Sequence, residues 1–297
     1  MKEISKYLLQ NIKKEFPHMN TGSPQAFCKR FIHSIFKKII EGEQTYHKEK
    51  MNIQKSSIMD GFEKPSNYNN NIPPFIQENL ENINKNIKSI VYKFSIHSQE
   101  IELNIIYPFT KNTKNSISVK KIQDYFDSCL YKIYLWLFVV SFYKQDKCSQ
   151  HLQINLYLTD LDKILPNKSV VLEQKNVNSA FTTSCKPQTM INILREDEWF
   201  KVFIHESFHC LGLDFSDDEN LTQLSKREIY KIFPLNIDVL LYETYCEFNA
   251  TVLNAIFIAY FYKGDENMVH EILHWESVFS CFQCIKVLQH NKINFEQ

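Results

Sequence analysis

Apolar residues return every three or four positions in "QAFCKRFIHSIFKKII" (25–40), behind a Ser23-Pro24 start signal, and residues 1 to about 42 read as helical. From about 43 to 74 the pattern dissolves into a polar stretch ending "SNYNNNIPP", a loop by composition. Periodicity then changes to two. "SIVYKFSI" and "IELNIIYPF", separated by "HSQE", form a β-hairpin. A long helix follows over roughly 118–143. "LQINLYLT" is another strand, and "NSAFTT" and "TMINILR" are two strands or irregular edge segments around Lys186-Pro187.

Helical spacing resumes from about Glu196 to Leu211, where Glu196, Asp197 and Glu198 suit the positive end of a helix. The acidic loop "SDDEN" separates this helix from a long one over about Asn236–Tyr262, and a last helix covers roughly 266–289. Hairpin, helix, strands and then helices alone describe an α+β fold: a mixed-sheet lobe followed by a helical lobe.

Composition narrows the class. The 297 residues are 44% hydrophobic and 14% aromatic, enough for a substantial core. The 34 basic and 34 acidic side chains cancel, so nothing steers the chain to nucleic acid or to an anionic membrane. The most apolar run, "LYKIYLWLFVVSFY" (130–143), is too short to span a bilayer and contains Lys132. No secretory leader is apparent in "MKEISKYLLQNIKKEF". Eight cysteines in so long a chain make no dense disulfide framework. A soluble intracellular protein with reduced thiols is expected, without nucleic-acid or membrane partners.

The chemistry concentrates in "VFIHESFHCLGLDFS" (202–216). On a helix, His205 and His209 lie one turn apart on one face, about 6 Å along the axis, so both imidazoles can reach one Zn²⁺. Glu206, rotated round the helix but still close, can take a proton from a metal-activated water. A catalytic zinc needs a third protein ligand and an outer carboxylate to orient a histidine. "LLYETYCEFNA" supplies Glu243 and Glu247, four apart on one face, one to ligate and the other to hydrogen-bond a far ring nitrogen. Asp214 is the runner-up ligand.

A second HExxH, "HEILH" (270–274), runs into Trp275 and Glu276 with only 21 residues beyond, and reads as coincidental. His270, His274, Cys281 and Cys284 share one helical face, but about 21 Å of it, too long for one ion. Those two cysteines read as buried small hydrophobes, as does Cys210.

These residues resemble the zincin metallopeptidases. "HESFHCLGLDFS" is similar to the matrixin-type pattern HExxHxxGxxH, except that Phe215 stands where the third histidine would be, and no methionine turn follows. HExxH with a later "ETYCEFNA" resembles the gluzincins. That resemblance implies a zincin-like fold and peptide hydrolysis with one zinc per chain. It makes Glu243 the third ligand beside His205 and His209, Glu206 the catalytic base and Glu247 the orienting group, although glutamate at 247 in place of the commoner aspartate leaves the roles of Glu243 and Glu247 exchangeable. It implies an extension over 1–85, an N-terminal lobe over 86–212 and a helical C-terminal lobe over 213–297. "TMINILR" becomes the edge strand that holds an extended peptide or protein substrate. Tyr242, Tyr245, His270 and His274 are candidates for stabilising the oxyanion. In composition and motif the chain also resembles proteins of large DNA viruses, which would place it in a host cytoplasm or virion.

Overall fold

The computed structural model describes residues 26–64, 72–83, 86–108, 118–166, 172–233 and 236–293. By compactness the described residues fall into two units: those within 38–250, and those within 26–37 and 251–293. The first unit carries the sheet and the histidine motif.

Its elements begin within helix α1 (Ala26–Glu49), followed by the short strands β1 (Gln54–Lys55) and β2 (Met59–Asp60), and by helix α2 (Pro74–Ile83). The predicted start signal of α1 lies outside the described residues. The helix runs seven residues past the expected limit, and α2 replaces part of the expected loop. Ile76 and Leu80, four apart on α2, are fully buried, which pays for a helix that the polar flanks conceal.

The hairpin is strand β3 (Ile87–Ile96) with strand β4 (Gln99–Pro108), in antiparallel register from Ile87↔Pro108 to Ile96↔Gln99. Helix α3 (Val119–Val140) crosses to strand β5 (His151–Thr159), which lies parallel to β4, and β5 in turn lies parallel to strand β7 (Gln188–Arg195). Between them the chain forms the single-turn helix α4 (Gln174–Val177) and strand β6 (Ala180–Thr182), antiparallel to β7. The sheet order is β1-β3-β4-β5-β7-β6, with β2 also on β3. This corrects one expectation: "TMINILR" is the interior strand β7, and the edge is β6. Residues 152 and 154–159 of β5 are all buried, as a strand covered on both faces requires. The polar side chains caught there pair across the sheet: the Asn104 amide donates to Asn155, and Asn155 to Asn192, each at 2.9 Å.

One face of the sheet is covered by α2 through Ile76 and Leu80, against Ile87, Ile106, Tyr157 and Leu194. Helix α3 supports the motif helix α5 (Trp199–Cys210): the Trp136 indole N–H donates to Ser207 Oγ at 2.8 Å, and the Trp136 and Phe208 rings stack. After α5 comes helix α6 (Glu219–Ile232), absent from the sequence reading, capped by Asp218, which accepts from the Leu221 N–H at 3.0 Å. It buries no residue, so its amphipathic face, with Leu221, Leu224 and Ile232, stays on the surface. Helix α7 (Leu241–Phe261) follows, and helix α8 (Glu266–Asn291) closes the described chain.

The second unit holds the start of α1, the end of α7 and α8. There Phe36 meets Tyr260 edge to face, and His33 Nδ1 lies 3.4 Å from Glu266. Cys281 and Cys284 on α8 are exposed, against the expectation of buried small hydrophobes. Among the described residues no helix is long and apolar enough to cross a membrane.

The cysteines bring a second correction. Cys148, just after α3, and Cys185, in the β6–β7 turn, form a disulfide with their Cα atoms 4.8 Å apart. Cys129, Cys210 and Cys246 are free and buried.

Candidate metal centre

The motif helix starts at Glu198, whose left-handed backbone (φ 58°) turns the chain out of β7 into α5. It ends at Gly212 (φ 67°), where the Leu213 N–H returns to the Phe208 carbonyl at 2.9 Å, closing the last turn. A β-carbon on Gly212 would lie 2.8 Å from Cys148 Sγ and 2.9 Å from the Gln145 amide, so both conformation and close approach call for glycine. Gln145 holds this turn from outside, its backbone N–H on the Leu211 carbonyl and its side-chain amide on that of Gly212.

The reversal delivers Asp214 back onto the helix. Its Oδ2 lies 2.5 Å from His209 Nδ1, while Oδ1 accepts from Ser216 Oγ at 2.9 Å. Asp214, expected as a runner-up ligand, therefore sits on the far side of the His209 ring from the other donors. Phe215, at the third-histidine position, packs edge to face on Tyr242 and Tyr245.

Glu243 and Glu247 come from the first two turns of α7. Glu243 Oε2 is 3.2 Å from His205 Nε2 and 3.4 Å from His209 Nε2, and the two Nε2 atoms are 3.3 Å apart. Glu247 takes the opposite side of His205, with Oε2 3.2 Å from Nδ1; this is a charge contact, not an aligned hydrogen bond. Its other oxygen pairs with Lys201, one turn before His205 on α5. The helix around the two carboxylates is less apolar in its surroundings than its sequence suggests. Leu240 is 45% and Phe248 67% exposed, whereas Cys246 and Ala250 are fully buried.

Carboxylates at both Nδ1 atoms favour the tautomer with the proton there, leaving a lone pair on each Nε2. Two lone pairs and the Glu243 oxygen then converge at 3.2–3.4 Å, an arrangement that only protons or a cation can reconcile. His205, His209 and Glu243 form a part-buried group that could hold a metal ion. His209, Asp214 and Cys246 also converge, with Cys246 Sγ 3.9 Å from His209 Nδ1 and from Asp214 Oδ2. There the nitrogen–oxygen spacing of 2.5 Å is that of a hydrogen bond, too short for two ligands of one ion.

The electrostatics follow from this packing. Burial lowers the basicity of His205, but Glu243 and Glu247 outweigh it and bring the ring up to about 9. Burial likewise opposes charge on His209, and Asp214, Cys246 and Glu243 together raise it to about 12. The imidazoles hold Glu243 down to about 2, as His205 does Glu247. Glu206 goes the other way: burial, only partly offset by His205 and His209, lifts it to about 7.

The cleft over the cluster is lined by His205, Glu206, His209, Tyr242 and Glu243 on one side, and by Ala180, Phe181 and Thr182 of the edge strand on the other. Tyr242 thus faces the cleft, and burial with the adjacent Glu243 charge keeps its hydroxyl protonated above the ordinary phenol range. Tyr245 is 41% exposed and packs edge to face on Phe208 and Phe215 instead. His270 and His274 belong to α8 in the other unit. Sequence reasoning did not identify Lys201 or the orienting position of Asp214. The first was legible as a lysine one helical turn before His205, the second as a carboxylate just past a helix-ending glycine.

No protein-family model, no curated protein and no solved structure matches the chain.

Proposed function

We propose that this chain is a zinc-dependent metallopeptidase of zincin-like architecture. One observation carries the reading: the donor triangle of His205 Nε2, His209 Nε2 and Glu243 Oε2, with edges of 3.3, 3.4 and 3.2 Å. Tetrahedral zinc with arms of about 2.0–2.1 Å separates its ligands by about 3.3–3.4 Å. Two imidazoles and one carboxylate are the donor set of a catalytic site with an open fourth position, whereas structural sites are closed and cysteine-rich. His205, His209 and Glu243 would hold the ion, which when bound supplies a Lewis acid and a water of lowered pKa.

The remaining steps belong to the protein. Glu206, a carboxylate tuned by burial to near neutrality, accepts the proton of the attacking water and returns it to the leaving amine. The protonated Tyr242 hydroxyl in the cleft donates to the developing oxyanion. Substrate extends along β6. Ser179 and Thr183 already use their backbone groups on β7, so the outward backbone groups of Ala180 and Thr182 are available to pair with a peptide strand.

Glu206→Gln tests the assignment, because glutamine keeps the size of the side chain and cannot accept the proton. Zinc-loaded wild type cleaves members of a mixed peptide library, and E206Q retains zinc but loses on the order of 10²–10⁴-fold in rate. A zinc-loaded wild type that cleaves no peptide leaves a metal-holding binding protein or an amide hydrolase of another class, and an E206Q that cleaves as fast as wild type overturns Glu206 as the base.

A further inference from the structure

Lys201 plays no part in the scheme above, yet its ammonium pairs with Glu247, the outer carboxylate beside the His205–His209–Glu243 group. It lies on α5 one turn before His205, so both side chains leave the same helical face. Its ammonium pairs with Glu247 Oε1, while Glu247 Oε2 faces His205 Nδ1. Glu247 is thereby held by both oxygens, one on each of two successive turns of α5. The pair is not an ordinary solvated bridge, since the Lys201 side chain is only 17% exposed.

Without such a clamp, Glu247 has a competing option. Glu206, Glu243 and Glu247 place three carboxylates on the lining of one cleft, and a half-exposed glutamate on a helix turn adjoining Glu243 can swing toward a divalent cation. An ammonium behind it favours the outer position by direct Coulomb attraction in a partly desolvated setting.

We infer that Lys201 is a positioning residue, which locks Glu247 behind His205 so that Glu243 alone supplies the carboxylate ligand and the fourth position stays open. The inference rests on the metal reading of the His205–His209–Glu243 triangle and assigns a role that this reading leaves unfilled. Lys201 acts through Glu247, which separates it from a lysine that merely joins two helices.

The experiment is a double-mutant cycle on the full chain, with zinc affinity measured by competition against a chromogenic chelator and folding followed by far-UV circular dichroism. E247Q weakens zinc ten- to hundredfold, the usual cost of losing an outer carboxylate. K201M weakens it about tenfold, K201R restores it, and K201M adds nothing in the E247Q background. Equal zinc affinity in K201M and wild type, multiplied effects in the double variant, or failure of K201R to restore overturns the clamp. Wild type that takes up no zinc overturns the metal reading itself, an outcome distinct from any of these.

Discussion

His209 Nδ1 and Asp214 Oδ2 lie 2.5 Å apart, joining the last turn of the motif helix to the chain that has just reversed at Gly212. The contact fixes which face of the imidazole looks into the donor triangle. Asp214→Ala removes the acceptor, frees the ring to rotate, and leaves the His209 N–H without its partner. Zinc affinity falls roughly ten- to hundredfold, with Asp214→Asn intermediate, in a chelator competition assay. An unchanged affinity in D214A would mean that the ring is held by packing alone.

Metal and protons compete for the same nitrogens. Carboxylates raise His205 to about 9 and His209 to about 12 in the metal-free protein, so both rings carry protons at pH 7. Ligation requires neutral imidazoles, and zinc uptake at pH 7 therefore releases about two protons. Titration calorimetry in buffers of differing ionisation enthalpy measures that number. The same shifts set the stability of the metal-free form. Each ring's folded pKa lies above the ordinary 6.5, so its contribution is complete below about pH 6.5 and is lost as pH rises, through about 9 for His205. Zinc affinity moves the opposite way and strengthens as pH rises over that interval.

Gly212→Ala forces a β-carbon into a left-handed position and against Cys148 Sγ and the Gln145 amide. Both penalties act on the turn that returns Asp214 to His209. We expect a loss of about 2 kcal/mol in chemical denaturation. A variant as stable as wild type would show that the turn can relax away from the disulfide.

The Cys148–Cys185 bond closes a loop of 37 residues that contains β5 and β6. Loop entropy gives it about 4 kcal/mol of stability, so C148S/C185S unfolds at lower denaturant than wild type and no longer responds to reductant. Alkylation before and after reduction, read by intact mass, checks that the two thiols are paired.

How far the sequence could be read depended on how far each feature was local. The hairpin, the long helix before β5 and the motif helix all announce themselves by periodicity, because each buries a regular face. Two of the helices longer than a single turn escaped, as did the single-turn α4. α2 is short and embedded in a polar, asparagine-rich stretch, and α6 buries no residue, so its amphipathic pattern has no core partner to explain it. The interior place of β7 and the edge place of β6 are properties of pairing, invisible to a three-residue strand's own composition. At the site, the meeting of His205, His209 and Glu243 was expected from helical spacing and from the zincin resemblance. An outer place for Glu247 was expected from that same resemblance, but the place of Asp214 was not, since Asp214 reaches His209 only by a backbone reversal. The disulfide was missed for a similar reason: residues 148 and 185 meet only after the sheet has formed.

Metal content is the most direct test of the donor triangle. Protein purified from zinc-supplemented medium and desalted should carry about one zinc per chain by inductively coupled plasma mass spectrometry. Glu243→Ala should lose most of it, and Lys201→Arg should keep it. A wild type free of zinc, or an E243A that holds zinc as fully as wild type, would contradict the account.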